Sequence, residues 1–320
     1  MMRMTYLDAA RTALAEEMRR DPLVWAVGED LGRGGVFGQY RGLVEEFGSE
    51  RISDAPISEA AILGASVGAA MMGTRPVVEM RFSDFALCAV DELVNQAAKA
   101  RFMFGGQTRV PLVVREPIGM WRSSAAQHSQ SLESWYAHIP GLVVVCPATP
   151  ADNKGLLASA IRCDDPVVYM EHKGLWPMEG EVPEGEHLVP FGVARTVREG
   201  TDITVVSWSA QVHVCATAAE TLAGEGISVA LIDLRTLWPW DRAAVLGSAA
   251  RTGRLLVVHE AVGVAGFGAE VAATVAEELG VRVRRLAAPR APIGYAPTVE
   301  DAVRVTDSMV VAVVREMVGK

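Results

Sequence analysis

The stretch Asp54-Ala55-Pro56-Ile57-Ser58-Glu59 runs directly into Ala60-Ala61-Ile62-Leu63-Gly64-Ala65-Ser66-Val67-Gly68. A short extended run ends at Pro56. Ser58 is placed to cap a helix, and small apolar residues continue it to about Met72, with Gly73 as the stop. Glu59 therefore sits in the first turn of a helix that carries no other charge. The helix dipole favours a carboxylate there, so one reading is a capping acid on a buried core helix. The other reading is a carboxyl group held in an apolar wall, where its proton can be used. Position alone favours the first.

Around this stretch, apolar strands alternate with helices. Residues 5–20 read as an amphipathic helix, and Leu23 to Val27 as a buried strand closed by Gly28. Strands are expected at 75–80, 110–114, 142–145 and 166–170. Helices are expected at 84–104, with Asp84 as cap and Gly105-Gly106 as stop, and from Pro150 to near Cys163. Residues 32–42 hold five glycines, but their spacing fits no phosphate-binding motif, so they read as a turn-rich connection. Residues 174–190 are rich in Gly, Pro and Glu and read as a linker. Beyond it, strands are expected at 203–208, 227–232, 254–258 and 281–286, after a hairpin entry at 191–206. Helices are expected at 211–224, 241–250, 267–279 and within 298–318. Solidly apolar strands alternating with helices define an α/β protein whose sheets are mostly parallel and covered on both faces. The expected division is a first domain over 1–176, a linker over 177–190 and a second domain over 191–320.

Composition narrows the partners. The 320 residues are 50% hydrophobic and 22% charged, with a net charge of −9, which argues against a nucleic-acid ligand. The apolar lean points to buried subunit interfaces. The longest apolar run, Ala60 to Gly73, spans about 14 residues where a bilayer needs roughly 20, so no membrane span is expected. Cys88, Cys146, Cys163 and Cys215 are scattered without zinc spacing, and Met1 to Asp8 holds no apolar leader core. Reduced thiols in a cytoplasmic protein are expected.

Three places carry candidate chemistry. Glu59 is the first. The second is Gln127-His128-Ser129-Gln130, on an unperiodic polar loop after a buried strand, where open parallel sheets bind ligands and a histidine can move a proton. The third is Ala160-Ile161-Arg162-Cys163-Asp164-Asp165-Pro166, where free carbonyls at a helix end beside Asp165 suit a monovalent or hard cation, or form a plain C-cap turn. Arg81 and Arg122 are cations placed to meet an acidic group or water. His259-Glu260 ends a strand and reads as structural. No G-x-S-x-G nucleophile elbow occurs.

Ordered strings along nearly the whole chain resemble the β subunit of the thiamine-diphosphate-dependent 2-oxo acid dehydrogenases, the E1 component. They include Gly28-Glu29-Asp30, Pro56-Ile57-Ser58-Glu59, Gly73-Thr74-Arg75-Pro76, Phe104-Gly105-Gly106-Gln107, Ala126-Gln127-His128-Ser129-Gln130-Ser131, His138-Ile139-Pro140-Gly141-Leu142 and Ile232-Asp233-Leu234-Arg235-Thr236. Met170-Glu171-His172-Lys173 and Ala125-Ala126-Gln127-His128 resemble the acetoin and pyruvate members more than the branched-chain ones. The resemblance implies a domain that binds the cofactor's pyrimidine and a transketolase-like C-terminal domain. It implies that Glu59 hydrogen-bonds the pyrimidine nitrogen and so favours the imino tautomer that takes the proton from thiazolium C2. It places Ile57, Arg81 and Phe85 around the pyrimidine, and His128 beside the reacting carbon, assisting acyl transfer to lipoamide. It implies a structural potassium ion held by Leu112, Ala160, Ile161, Cys163 and Asp165, mostly through carbonyls.

Two departures stand out. Arg81 replaces the usual Met or Gln, and residues 118–124 lack the extra glycines common before His128. Both suggest a substrate with a second anionic or polar group, or a changed acyl acceptor. The family's Gly-Asp-Gly motif for diphosphate and Mg2+, with its following Asn, is absent. By resemblance it lies on a separate α subunit, giving an α2β2 tetramer that serves a lipoyl E2 protein. The competing readings are a split transketolase or acyloin-forming carboligase, and a non-catalytic scaffold subunit.

Overall fold

In the computed structural model, which describes residues 1–320, two largely parallel sheets follow one another along the chain. The first contains seven strands in the order Thr236–Trp238, Val143–Val145, Val167–Tyr169, Val113–Arg115, Arg75–Glu79, Val24–Gly28 and Ile52–Asp54. All pairs are parallel except the first, where Thr236–Trp238 runs against Val143–Val145. Alternate side chains serve opposite cores, as the pleat requires. Val77 and Val113 meet the helices Tyr6–Arg20 and Pro150–Arg162. Val78 and Val114 meet the Glu59–Met71 helix instead.

The second sheet runs Arg282–Ala288, Arg254–Val262, Ile203–Ser207, Val229–Asp233 and Arg195–Arg198. Helices Gln211–Ala223 and Asp307–Val318 cover one face, and Arg242–Thr252 and Phe267–Leu279 cover the other. One apolar core of 36 buried residues draws on both sheets, so the two halves pack as one body.

Several expectations change. The Glu59 helix is not wholly buried. Ile62, Leu63, Ser66, Val67 and Ala70 face the core, whereas Ala60, Ala61, Ala65, Gly68, Met71 and Met72 are exposed. Small apolar residues all round the helix hid that asymmetry. Ser58 occupies the cap position, but its hydroxyl donates to the Pro56 carbonyl at 2.9 Å rather than capping the helix. The expected helix at 84–104 is broken into Ser83–Ala86, a 3-10 turn, a π-helical turn over Glu92–Ala97, and Ala98–Met103. Its first residue is Ser83 rather than one capped by Asp84.

The linker contains a strand, Glu179–Val182, which pairs antiparallel with Met2–Thr5. The hairpin at 191–206 does not form, because Arg195–Arg198 pairs with Val229–Asp233 and not with Ile203–Ser207. Thr236–Trp238 forms a strand that local periodicity does not show, since its partner lies about ninety residues earlier in the other sheet. All four cysteines are free, and no helix is long and apolar enough to cross a membrane.

Side chains also tie the halves together. Trp208 Nε1 donates to Glu133 at 3.0 Å. Glu260 accepts from the Met120 amide at 2.7 Å and pairs with His172 Nε2 at 3.1 Å. Burial works to raise the Glu260 carboxyl's pKa, but His172 and the amide outweigh it and hold it below the usual range. Removing one partner strands a buried ring and amide. Glu260→Ala is therefore expected to destabilise the chain by about 3 kcal/mol, read as an earlier unfolding midpoint in thermal melts at pH 7. An unchanged midpoint would show that the pair adds nothing to the domain contact.

Candidate active site

Four neighbouring parallel strands of the first sheet, and the edge strand beside them, end on one side, and each hands the chain to a residue of interest. Gly28 leads to Glu29 and Asp30, Asp54 to Ile57 and Glu59, and Glu79 to Arg81 and Phe85. Arg115 leads into the loop that carries His128, and Tyr169 leads to His172 and Lys173. This carboxyl edge is where open α/β sheets bind ligands.

The edge rests on a buried polar network. Arg115, 1% exposed, donates to Glu171 at 2.5 Å, to the Tyr40 hydroxyl at 2.9 Å and pairs with Glu79 at 3.3 Å. Asn153 donates to Glu171 at 2.9 Å, and Tyr40 donates to Glu79 at 2.8 Å. Burial pushes the Glu79 carboxyl up to about 7, against the pull of Arg115. Beside it Glu116 accepts from Ser83 at 2.9 Å, and burial pushes its carboxyl up to about 8. Strand periodicity gave no sign of these acids, because Glu79 ends an apolar strand and Glu116 and Glu171 follow just beyond two others.

Above the network the site is aromatic. The His128 ring meets Phe82 and Phe85 edge-on, at 5.1 and 5.2 Å between centroids. Phe37 packs on Phe82, Trp121 and Trp176 at 6.1, 5.5 and 4.7 Å. Phe37 comes from the glycine-rich segment read as a mere connection. The His128 loop is irregular, with Arg122, Ser123 and Ala125 at positive φ. Its entry is tight: a Cβ on Gly119, at φ +91°, would fall 2.0 Å from the His172 ring. Gln130 donates to Asp84 at 2.8 Å and ties the loop exit to the Phe85 turn.

The expected residues divide. Glu59 is partly exposed at the head of its helix and makes no hydrogen bond or ion pair within the chain. Ile57 is 80% exposed beside it. Phe85 and His128 meet directly. Arg81 pairs with Glu29 at 3.1 Å and with Asp30. Burial raises the Glu29 carboxyl's pKa, Arg81 opposes this, and the charge of Glu59 adds to the rise. Glu29 and Glu59 therefore share one electrostatic neighbourhood. Because its guanidinium is already engaged by two acids, Arg81 is not the free cation for a second substrate anion that its sequence position suggested.

The carbonyls of the expected potassium ligands accept hydrogen bonds within the chain. Arg75 Nη1 donates to the carbonyls of Ile161 and Cys163, both at 3.0 Å, and its Nη2 reaches Asp164 at 2.8 Å. The Leu112 carbonyl accepts from Val167 at 2.8 Å and that of Ala160 from Cys163 at 3.1 Å. Asp165 pairs with Arg101 at 2.7 Å. A guanidinium thus donates to two of the carbonyls that the resemblance assigned to an ion. Two of the other histidines are engaged within the chain. His259 stacks on Trp208 at 5.1 Å, and burial holds it neutral with a pKa near 4. His213 contacts the Ala148 carbonyl at 2.7 Å.

Comparison with known proteins assigns the class. Residues 2–178 match the transketolase pyrimidine binding domain, and residues 192–310 match the transketolase C-terminal domain. A split-gene transketolase in an inactive β4 tetramer shares the fold, with a TM-score of 0.84 at 21% identity over 99% of both chains. The chain is thus transketolase-like in both halves. Among relatives, it is 44% identical to the 2-oxoisovalerate dehydrogenase subunit beta of Bacillus subtilis over 98% of each chain. It is 45% identical to the acetoin:2,6-dichlorophenolindophenol oxidoreductase subunit beta of Cupriavidus necator, over 92% of this chain and 91% of that one. It is 41% identical to the mitochondrial pyruvate dehydrogenase E1 component subunit beta-2 of Oryza sativa subsp. japonica, over 94% of this chain and 85% of that one. The chain belongs to the E1 β-subunit family of the thiamine-diphosphate-dependent 2-oxo acid and acetoin dehydrogenases. These identities give the acetoin and pyruvate members no advantage over the branched-chain one.

Two stability outcomes follow from the buried groups. Arg75→Ala leaves two carbonyls without their donor and Asp164 with Arg109 alone, and is expected to cost about 3 kcal/mol. Glu116 has a folded pKa above its unfolded value. Its contribution is complete below about pH 4.5 and is lost as pH rises through about 8. Glu116→Gln should therefore gain on the parent by up to about 1.4 kcal/mol per pH unit across that window. Parallel pH curves for the two proteins would contradict the assignment.

Proposed function

We propose that this chain is the half of a heteromeric E1 enzyme that binds the aminopyrimidine of thiamine diphosphate. Glu59 carries the reading. It is a carboxyl at the carboxyl edge of a parallel sheet, backed by an apolar helix, with every hydrogen-bonding position unused within the chain. An aminopyrimidine nitrogen is a partner of the right kind, and the exposed Ile57 and the Phe85 ring offer flat apolar contact. The bound cofactor supplies the sink for the electron pair left when a 2-oxo acid loses carbon dioxide.

This chain's residues do the rest. Glu59 shares a proton with the ring nitrogen. Phe82 and Phe85 orient the His128 imidazole, which hydrogen-bonds the acyl oxygen and moves a proton as the acyl group passes to lipoamide. The proposed reaction is oxidative decarboxylation of a 2-oxo acid, or cleavage of acetoin, with acyl transfer to a lipoyl E2 protein. With Arg81 held by Glu29 and Asp30, the substrate is a simple oxo acid without a second carboxylate. An α subunit supplies the diphosphate and Mg2+ site, in an α2β2 assembly. The division at 1–176, 177–190 and 191–320 is part of the proposal, supported by the separate domain matches. So is a cytoplasmic setting, supported by four unpaired thiols.

The test is reconstitution with the α chain and assay against pyruvate, branched-chain oxo acids and acetoin. Glu59→Gln should lower kcat by about 10²-fold or more. Turnover within threefold of the parent would leave only a scaffold role. Acyl transfer to an aldehyde and not to a lipoyl domain would instead mark a carboligase.

A further inference from the structure

We infer that Lys173 is a positioning residue for His128, fixing the height and angle of that ring through its main-chain carbonyl. The inference rests on the reading of His128 as the group that assists acyl transfer. Lys173 follows strand Val167–Tyr169 by way of His172, and its side chain is fully buried. Its Nζ donates to the His128 carbonyl and makes no salt bridge. On its way it lies 4.7 Å from the centroid of Phe82, one of the two rings that flank His128. The same ammonium thus holds the histidine's backbone and one wall of its aromatic slot.

The loop has few other restraints near this point. The His128 amide makes one long contact, to the Ala125 carbonyl at 3.4 Å, within a segment of left-handed residues. The base under Lys173 is rigid by comparison. The Lys173 amide donates to the Ile118 carbonyl at 3.1 Å, and His172 is fixed by Glu260 and by the Gly174 amide. A buried lysine without a paired carboxylate is costly, and such sites persist where the charge has a task. The charged groups that face it are Asp84 from the Phe85 turn, Glu260 from the second domain and Glu300 near the C-terminus, together with the His172 ring. Burial lowers its pKa to about 8 against the pull of those three acids. It is charged at neutral pH and loses its charge, and with it the charge-assisted bond to His128, in mild alkali.

The experiment compares two acceptors in the reconstituted αβ enzyme: a lipoyl domain, and dichlorophenolindophenol, which takes electrons without acyl transfer to a lipoyl group. For Lys173→Met, the ratio of lipoyl-linked to dye-linked kcat is expected to fall roughly tenfold or more, since small misplacements of a catalytic group are expensive. Lys173→Arg should recover part of the ratio. The parent ratio should fall above about pH 8, and this limb should vanish in Lys173→Met and move upward in Lys173→Arg. If Lys173→Met fails to fold, the pH limb of the parent and Lys173→Arg decides the matter. A ratio that stays level in both variants and across pH, while His128→Ala lowers it, overturns the role of Lys173 and leaves that of His128 intact. A ratio unmoved by His128→Ala overturns the underlying reading instead.

Discussion

The ends of the central strands are clamped by one buried arginine. Arg115 closes the middle strand and is gripped by Glu171 beyond the strand on one side and by Glu79 on the strand at the other. Tyr40 adds a contact from the glycine-rich segment, and Asn153 adds one from the helix below. An unpaired guanidinium buried this deeply would be prohibitive. With two acids and a phenol it becomes a rigid knot, and the partial protonation of Glu79 keeps the sum of charge near balance. The loops that carry Arg81, Phe85, His128 and Lys173 all leave from this knot.

From that base the site is arranged by contrast. Below lie ionised and half-protonated groups tied to one another within the fold. Above lie the partly buried rings of Phe37, Phe82, Phe85 and Trp121, with His128 packed edge-on against two of them. Arg81, Glu29 and Asp30 form a third, self-contained group beside Glu59. The capping-acid reading of Glu59 therefore loses ground. Its helix is half exposed, its Ser58 neighbour does not cap, and its own carboxyl has no partner in the chain.

Internal cations recur in this design. Arg75 occupies the carbonyls at the end of the Pro150–Arg162 helix, Lys173 the carbonyl of His128, and Arg51 the carbonyls of Met18 and Val24. Each ties a backbone turn to a distant strand, using a side chain that sequence alone would place in water. A helix end needs some donor for its last carbonyls, and a guanidinium with several N–H groups is suited to that need.

The sequence by itself determined the alternation of apolar strands and helices, the two-part organisation, and the family through its ordered motifs. It also placed the His128 loop beyond the strand ends, where a parallel sheet binds ligands, and the resemblance set Glu59 and Phe85 at the same cofactor ring. Those features depend on local periodicity and on residues within a turn of each other. The tertiary structure decided the rest. It put Thr236–Trp238 into the first sheet, paired the linker with Met2–Thr5, and assigned Arg75, Arg81 and Lys173 to their partners. Most of these contacts join residues dozens of positions apart, so strand order and burial choose them. A buried cation has no periodic signature, and its partner is known only once the sheet brings the two together.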